Sequence, residues 1–204
     1  MSEQLSVDEV ISEVQKLQYL FQLKRVIRYN EERADLDSTE SVAEHIYGLY
    51  ILMRYFLPLE SKQRQLDEQK IWLMILWHDI DEIEVGDILG YRKTAEDIKR
   101  EELAEQTVIE QSPVGLQTEL REVLKEYRSQ SSLEARFVKA IDKFEPLVHL
   151  RNKRGRVLTK RNKTTARDSL NLKTPYLNDF PTIKHFCLTI HKVMDEEGHF
   201  YEGK

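Results

Sequence analysis

The chain predicts an all-α bundle in a single domain, and three observations carry that prediction. Breakers are scarce, with 7 Gly and 5 Pro among 204 residues, which favours helices joined by short connections. Apolar residues recur at helical spacing, and no convincing alternating strand pattern interrupts them. Helix-start signatures recur along the chain, beginning with Ser6-Val-Asp-Glu9 and Ser41-Val-Ala-Glu44, each with the spacing of a capping box.

The elements follow in order. Ser6 opens an amphipathic helix with Val10, Ile11, Val14, Leu17 and Phe21 along one side. Ser41 opens a second that runs to about Leu57 and is ended by Pro58. A third begins near Asp67 and carries the apolar run Ile71–Trp77 into His78-Asp79, with Gly86 suited to a helix end. Residues 95–111 form a charged helix that stops at Ser112-Pro113, and a shorter one covers about 116–128. Ser131-Ser-Leu-Glu134 caps the helix that includes Asp142 and meets Pro146, where a kink or an end is expected. Residues 151–178 show no clear period and read as a long basic loop, before a last helix over about 179–197 that Asp179 and Pro181 start. With no repeat and no composition break, residues 1–204 read as one domain whose core spans about 6–150.

Composition narrows the function classes. Hydrophobic content of 40% and charged content of 33% describe a soluble globular chain. The single cysteine, Cys187, excludes an intrachain disulfide framework, fits a reducing cytoplasm and reads as core filler. The N-terminus is acidic where a secretory leader is basic and then apolar. Ile71–Trp77 is far short of the ~20 apolar residues that cross a bilayer, so no membrane partner is expected. A net charge of −5 disfavours a nucleic-acid partner, although Arg151–Arg167 holds eight Lys or Arg and no acid. That stretch suits either nucleic-acid phosphates or a polyphosphate tail folded over a site, and a solvated surface as readily.

The chemistry concentrates around His78-Asp79, with His45 upstream and Asp142 downstream. Imidazole and carboxylate are good ligands for a divalent metal, which makes water a usable nucleophile near neutral pH. Consecutive side chains on a regular helix diverge by about 100°, so His78 and Asp79 share an ion only near a helix end or distortion. Two imidazoles and two carboxylates suit one Mn²⁺, Fe²⁺, Co²⁺ or Mg²⁺ ion better than a closed structural zinc site. Asp142 lies in an apolar setting, Phe137-Val-Lys-Ala-Ile-Asp142, where a carboxylate asks for a cation or donors.

In their order and spacing these residues resemble the HD-domain metal-dependent phosphohydrolases. Thr39-Glu-Ser-Val-Ala-Glu-His45, His78-Asp-Ile-Asp-Glu82 with Gly86-Asp87, and Val138-Lys-Ala-Ile-Asp142 are similar to the motifs of the 5′-deoxynucleotidase branch. The likeness covers roughly residues 15–150. It implies an HD-type helical bundle, one divalent ion and removal of phosphate from a nucleotide, most readily a deoxynucleoside 5′-monophosphate. His45, His78, Asp79 and Asp142 would be ligands, Glu82 would orient or deprotonate the attacking water, and Asp87 would assist proton transfer or hold substrate. Arg28 resembles the phosphate-gripping arginine, with Arg25 and Arg33 as alternatives, and Tyr29 stands at the sugar. Nucleotide metabolism, a cytoplasmic location and a homodimer through the helix around Tyr47–Phe56 follow from the same likeness. Two other readings remain at this point: a hydrolase of nucleoside triphosphates or modified nucleotides, and a nucleic-acid-binding or regulatory module that uses the basic stretch. His149, seven residues past Asp142, is a further candidate, whereas His185, His191 and His199 read as ordinary residues.

Overall fold

The computed structural model describes residues 5–30, 39–61 and 65–202. Ten α-helices occupy them: α1 Val7–Leu20, α2 Val42–Glu60, α3 Glu68–Trp77, α4 Glu82–Val85, α5 Ala95–Gln111, α6 Val114–Ser129, α7 Leu133–His149, α8 Lys153–Arg161, α9 Ala166–Lys173 and α10 Pro181–Glu196. The one β feature among the described residues is an isolated antiparallel bridge, Ile27 with Ser41. There the Arg28 N–H donates to Glu40 O and the Val42 N–H to Val26 O, both at 2.9 Å. The bridge fastens together the two sides of the segment between Arg28 and α2.

Helix α7 is the centre of the bundle. Phe137, Val138, Ala140, Ile141, Phe144 and Leu147 are all buried on it, and α2, α3, α6, α9 and α10 pack around it. Burial on nearly every side leaves the Asp142 carboxylate on α7 little exposed. Phe56 of α2 meets Phe144 edge-on with ring centroids 5.5 Å apart, and Phe137 meets Phe180 at 5.4 Å. Such T-shaped pairs match the positive edge of one ring to the negative face of the other.

Both capping boxes form, at Ser6 and Ser41, with the Glu9 and Glu44 carboxylates accepting back from the cap N–H. The apolar side of α1 does not enter the core: Val7, Val10, Ile11, Val14 and Leu17 are exposed. Four other boundaries depart from expectation. Helix α2 continues past Pro58 to Glu60, because Pro58 falls in an exposed last turn whose lost donor costs little there. Helix α7 likewise continues through Pro146 to His149. Its cap is Ser132 rather than Ser131, the Ser132 hydroxyl accepting from the Ala135 N–H, while Glu134 accepts from the Asp67 N–H. The stretch expected as a basic loop, about 151–178, is instead α8 and α9 followed by a 3-10 turn at Thr174–Tyr176. Asn152 caps α8 by accepting from the Arg154 and Gly155 N–H groups, and Thr165 caps α9. Each helix is too short to display a period, yet Lys and Arg are good helix formers. Gly155 is required by contact: a Cβ there would lie 2.1 Å from the Leu150 carbonyl oxygen.

Candidate metal centre

Each candidate ligand arrives by a local route that its sequence explains. His45 sits one turn into α2, facing inward in register with Leu49 and Met53, and is fully buried. The third helix stops at Trp77. His78 caps it, still with helical dihedrals and its N–H donating to Met74 O. Asp79 lies in the turn before α4, where the hydrogen bonds tighten to Ile80 N–H on Trp77 O and Glu82 N–H on Asp79 O. Gly86, at φ 72°, ends α4 in a conformation that other residues resist and turns the chain toward Asp87. Asp142 projects from the buried side of α7.

These four residues converge. One ligand atom from each of His45, His78, Asp79 and Asp142 lies within 4.8 Å of the others. His45 Nε2 is 3.3 Å from Asp142 Oδ1 and 4.0 Å from Asp79 Oδ2, and His78 Nε2 is 3.1 Å from Asp79 Oδ2. Behind the cluster, His78 Nδ1 donates to the Ile75 carbonyl and His45 Nδ1 faces a Glu145 carboxylate oxygen, both at 3.0 Å. An imidazole that donates through Nδ1 presents a lone pair at Nε2, and both Nε2 atoms are buried without a hydrogen-bond partner. Two lone pairs and two carboxylates aimed at one point fit a divalent cation.

The two carboxylates of that donor set stay ionised. Burial acts to raise the Asp79 and Asp142 carboxyls, but His78 beside the first and Lys143 with His45 beside the second hold both lowered. Lys143 and Lys139 lie 2.9 and 3.6 Å from Asp142 Oδ2. Glu82 goes the other way: burial first, then Asp79 and Asp87, push its carboxyl well above the ordinary range.

A cleft, partly open to solvent, runs from the cluster toward α8 and α9. Arg28, Tyr29, Glu82 and Asp87 all line it beside Asp79 and Asp142. Arg28 is buried, 3.4 Å from Asp79 Oδ2 through Nη1 and 3.3 Å from Asp87 Oδ2 through Nε. The Tyr29 N–H donates to Asp87 Oδ2 at 2.6 Å, and Tyr29 takes a left-handed backbone, φ 65°. Of the alternative arginines, Arg25 is exposed and Arg33 lies outside the described residues.

His149 is not in the cleft; its Nδ1 lies 3.4 Å from Glu40 Oε2, in a buried network behind His45. His191 stacks on Phe200 away from the cluster, and Cys187 is core. Sequence reasoning missed Glu145 and Glu40, which with His45 make a second buried grouping. The signal for Glu145 was available: it lies three residues after Asp142, on the same face of α7. The lysines of the cleft wall, Lys139, Lys143 and Lys173, were also missed, since nothing local separates them from surface charge.

Residues 20–184 match the family described as HD domain. The 5′-deoxynucleotidase HDDC2 of Bos taurus is 34% identical over 152 residues, which is 71% of this chain and 72% of that protein. The 5′-deoxynucleotidase hdd1 of Schizosaccharomyces pombe is 30% identical over 146 residues, covering 69% and 71%. Among solved structures, a “predicted metal-dependent phosphohydrolase” from Magnetospirillum magnetotacticum MS-1 superposes with TM-score 0.76 at 20% identity, over 95% of this chain and 98% of that one. An HD-domain phosphohydrolase from Listeria innocua gives 0.59 at 20% identity, over 90% and 86%. At those identities the two structures speak for the fold alone.

Proposed function

The chain belongs to the HD domain family, and from that premise we propose that it is a metal-dependent phosphohydrolase acting on deoxynucleoside 5′-monophosphates. The observation that carries the reading is the pair of partnerless Nε2 atoms converging with two carboxylates at the head of a cleft that Arg28 and Glu82 also line. The relatives named 5′-deoxynucleotidase support the substrate class.

His45, His78, Asp79 and Asp142 would hold the ion, which when bound supplies positive charge against the phosphate and acidifies water. The chain's own groups account for the rest of the chemistry. Arg28, braced by Asp79 and Asp87, turns its remaining donors toward phosphate oxygens, a geometry the guanidinium fork suits. Glu82 holds the attacking water and takes its proton as the oxygen closes on phosphorus. The bond from phosphorus to the sugar oxygen then breaks, and the alkoxide takes a proton from solvent, with Asp87 assisting the transfer. Through its contact with the Tyr29 N–H, Asp87 also keeps the ring of Tyr29 at the sugar end of the cleft.

Location and assembly belong to the same proposal. A lone buried cysteine fits a reducing cytoplasm. Exposed Tyr47, Ile51 and Tyr55 on α2, beside Trp72 and Leu76 on α3, support a homodimer. Among the described residues no helix is long and apolar enough to cross a membrane. Mn²⁺, Co²⁺, Fe²⁺ and Mg²⁺ all suit the donor set.

Orthophosphate release from deoxy- and ribonucleoside mono- and triphosphates, by chelated protein resupplied with Mn²⁺, Co²⁺ or Mg²⁺, tests the reading. The expected result is release from deoxymonophosphates that chelator abolishes. Silence across the panel with metal demonstrably bound would sink it.

Glu145 is expected to act through His45. Its carboxylate fixes the imidazole with Nε2 toward the cluster, so Glu145→Ala is expected to weaken divalent-metal affinity about 10–100-fold, the range for such outer partners. Competition with a fluorescent chelator measures this, and Glu145→Gln, which retains an acceptor, is expected to restore most of it. Equal affinity in all three proteins would reduce Glu145 to a packing residue.

A further inference from the structure

Lys173 ends α9 with its side chain buried, 6% exposed, and lines the cleft that leads from the metal-ligand cluster. Its ammonium donates one hydrogen bond, to Ser169 Oγ one turn earlier at 3.2 Å. Among the described residues no acid lies within ion-pair distance of it. Three of the cleft's four acids are engaged elsewhere: Asp79 with His78 and Arg28, Asp87 with Arg28, Asp142 with His45, Lys143 and Lys139; the fourth, Glu82, makes no ion pair with Lys173. On the α7 side, then, two lysines share one carboxylate, and Lys173 faces the same space with none.

A buried ammonium without a counter-charge is costly. Burial pushes Lys173 down to about 8, and Lys143 adds to the shift. The cost falls when an anion enters the cleft. The surroundings suit an anion rather than a neutral group. Ser169 Oγ already accepts from Lys173, so its own hydrogen is free to donate to the same ligand. Leu158, Leu172, Met194 and Phe200 line this end of the cleft and limit water there, which strengthens any charge-assisted bond.

We propose that Lys173 and Ser169, with Lys139 and Lys143 on the facing wall, form a subsite for a second phosphoryl group of the substrate, apart from the one that is hydrolysed. The proposal rests on the nucleotide phosphohydrolase reading and extends it. The chemistry is that of a phosphate dianion on a nucleotide, carried either in a 5′-polyphosphate tail or as a separate phosphate on the sugar 3′-oxygen.

The test uses wild-type protein, Lys173→Met and Ser169→Ala with three probes: deoxyadenosine 5′-monophosphate, 5′-triphosphate and 3′,5′-bisphosphate. Phosphate release by the Mn²⁺-loaded proteins gives kcat/KM, and calorimetric titration of the chelated proteins gives affinity without turnover. Lys173→Met is expected to lower kcat/KM and affinity for a probe with the added phosphoryl group about 10–100-fold, the range for a hydrogen bond to a charged group. Ser169→Ala is expected to lower them less, in the same direction, while the monophosphate stays within about twofold, well inside one such bond. Which probe responds identifies the source of the second phosphate. Equal losses for all three probes, or none for any, would overturn the subsite. Lack of turnover with every probe, alongside binding that Lys173→Met still weakens selectively, would reject the hydrolase reading and leave the subsite standing. Lys173→Met exchanges a buried charge for an apolar chain of similar length, and a thermal melt verifies that it folds.

Discussion

Asp142→Asn is expected to abolish phosphate release for practical purposes, with a fall on the order of 10³-fold or more. The size follows from what a bound cation supplies: several kcal/mol of transition-state charge stabilisation, of which about 4 kcal/mol corresponds to three decades in rate. Asp142 is central to the donor set, 3.3 Å from His45 Nε2, and its other oxygen draws in Lys143 at 2.9 Å. Asparagine keeps the volume and one acceptor but not the charge, so two lysines and the cation would then compete for a neutral amide. Metal content per chain, measured after dialysis against a weak chelator, is expected to fall in parallel with turnover. Undiminished metal content with full activity would remove Asp142 from the centre.

Glu82→Gln is expected to separate chemistry from binding. Loss of a positioned proton acceptor lowers turnover by about 10²–10⁴-fold, and the effect is expected in kcat with KM and metal content little changed. The carboxyl is buried, one oxygen has no hydrogen-bond partner, and Asp79 and Asp87 stand beside it. Removing its charge therefore relieves repulsion, and the variant is expected to melt no lower than wild type. A Glu82→Gln protein with full kcat would end the water-handling role. A parallel fall in metal content would recast Glu82 as part of the ion's cage.

The four candidate ligands, which the fold brings together, were legible in the sequence because their types are specific and their surroundings unusual. A carboxylate after Phe137-Val-Lys-Ala-Ile is out of place unless something binds it. The broken helix at His78-Asp79 was legible as a requirement of geometry, and the turn before α4 meets it. What stayed hidden depends on contacts distant in sequence. Glu145 shares the Asp142 face of α7, which marked its position, but it reaches His45 across 100 residues of chain, which hid its partner. Lys173 looks like any surface lysine until α9 is folded against α7. The helices α8 and α9 were missed for another reason: eight or nine residues show too few apolar positions to reveal a period, and their caps, Asn152 and Thr165, lie among many polar neighbours. Proline did not mark the helix end at Pro58 or Pro146: the helices run on to Glu60 and His149.

The bridge between Ile27 and Ser41 has a consequence for how such a chain can diverge. Arg28 and His45 stand on either side of residues 31–38 in the sequence, and the bridge clips the chain together before and after that stretch. Lengthening a closed segment is inexpensive, about 0.6 kcal/mol for each doubling. Insertions between the clips are therefore expected to leave Arg28 and His45 in register. The length of chain between them is free to vary from one lineage to the next, while Arg28 and His45 keep a fixed frame.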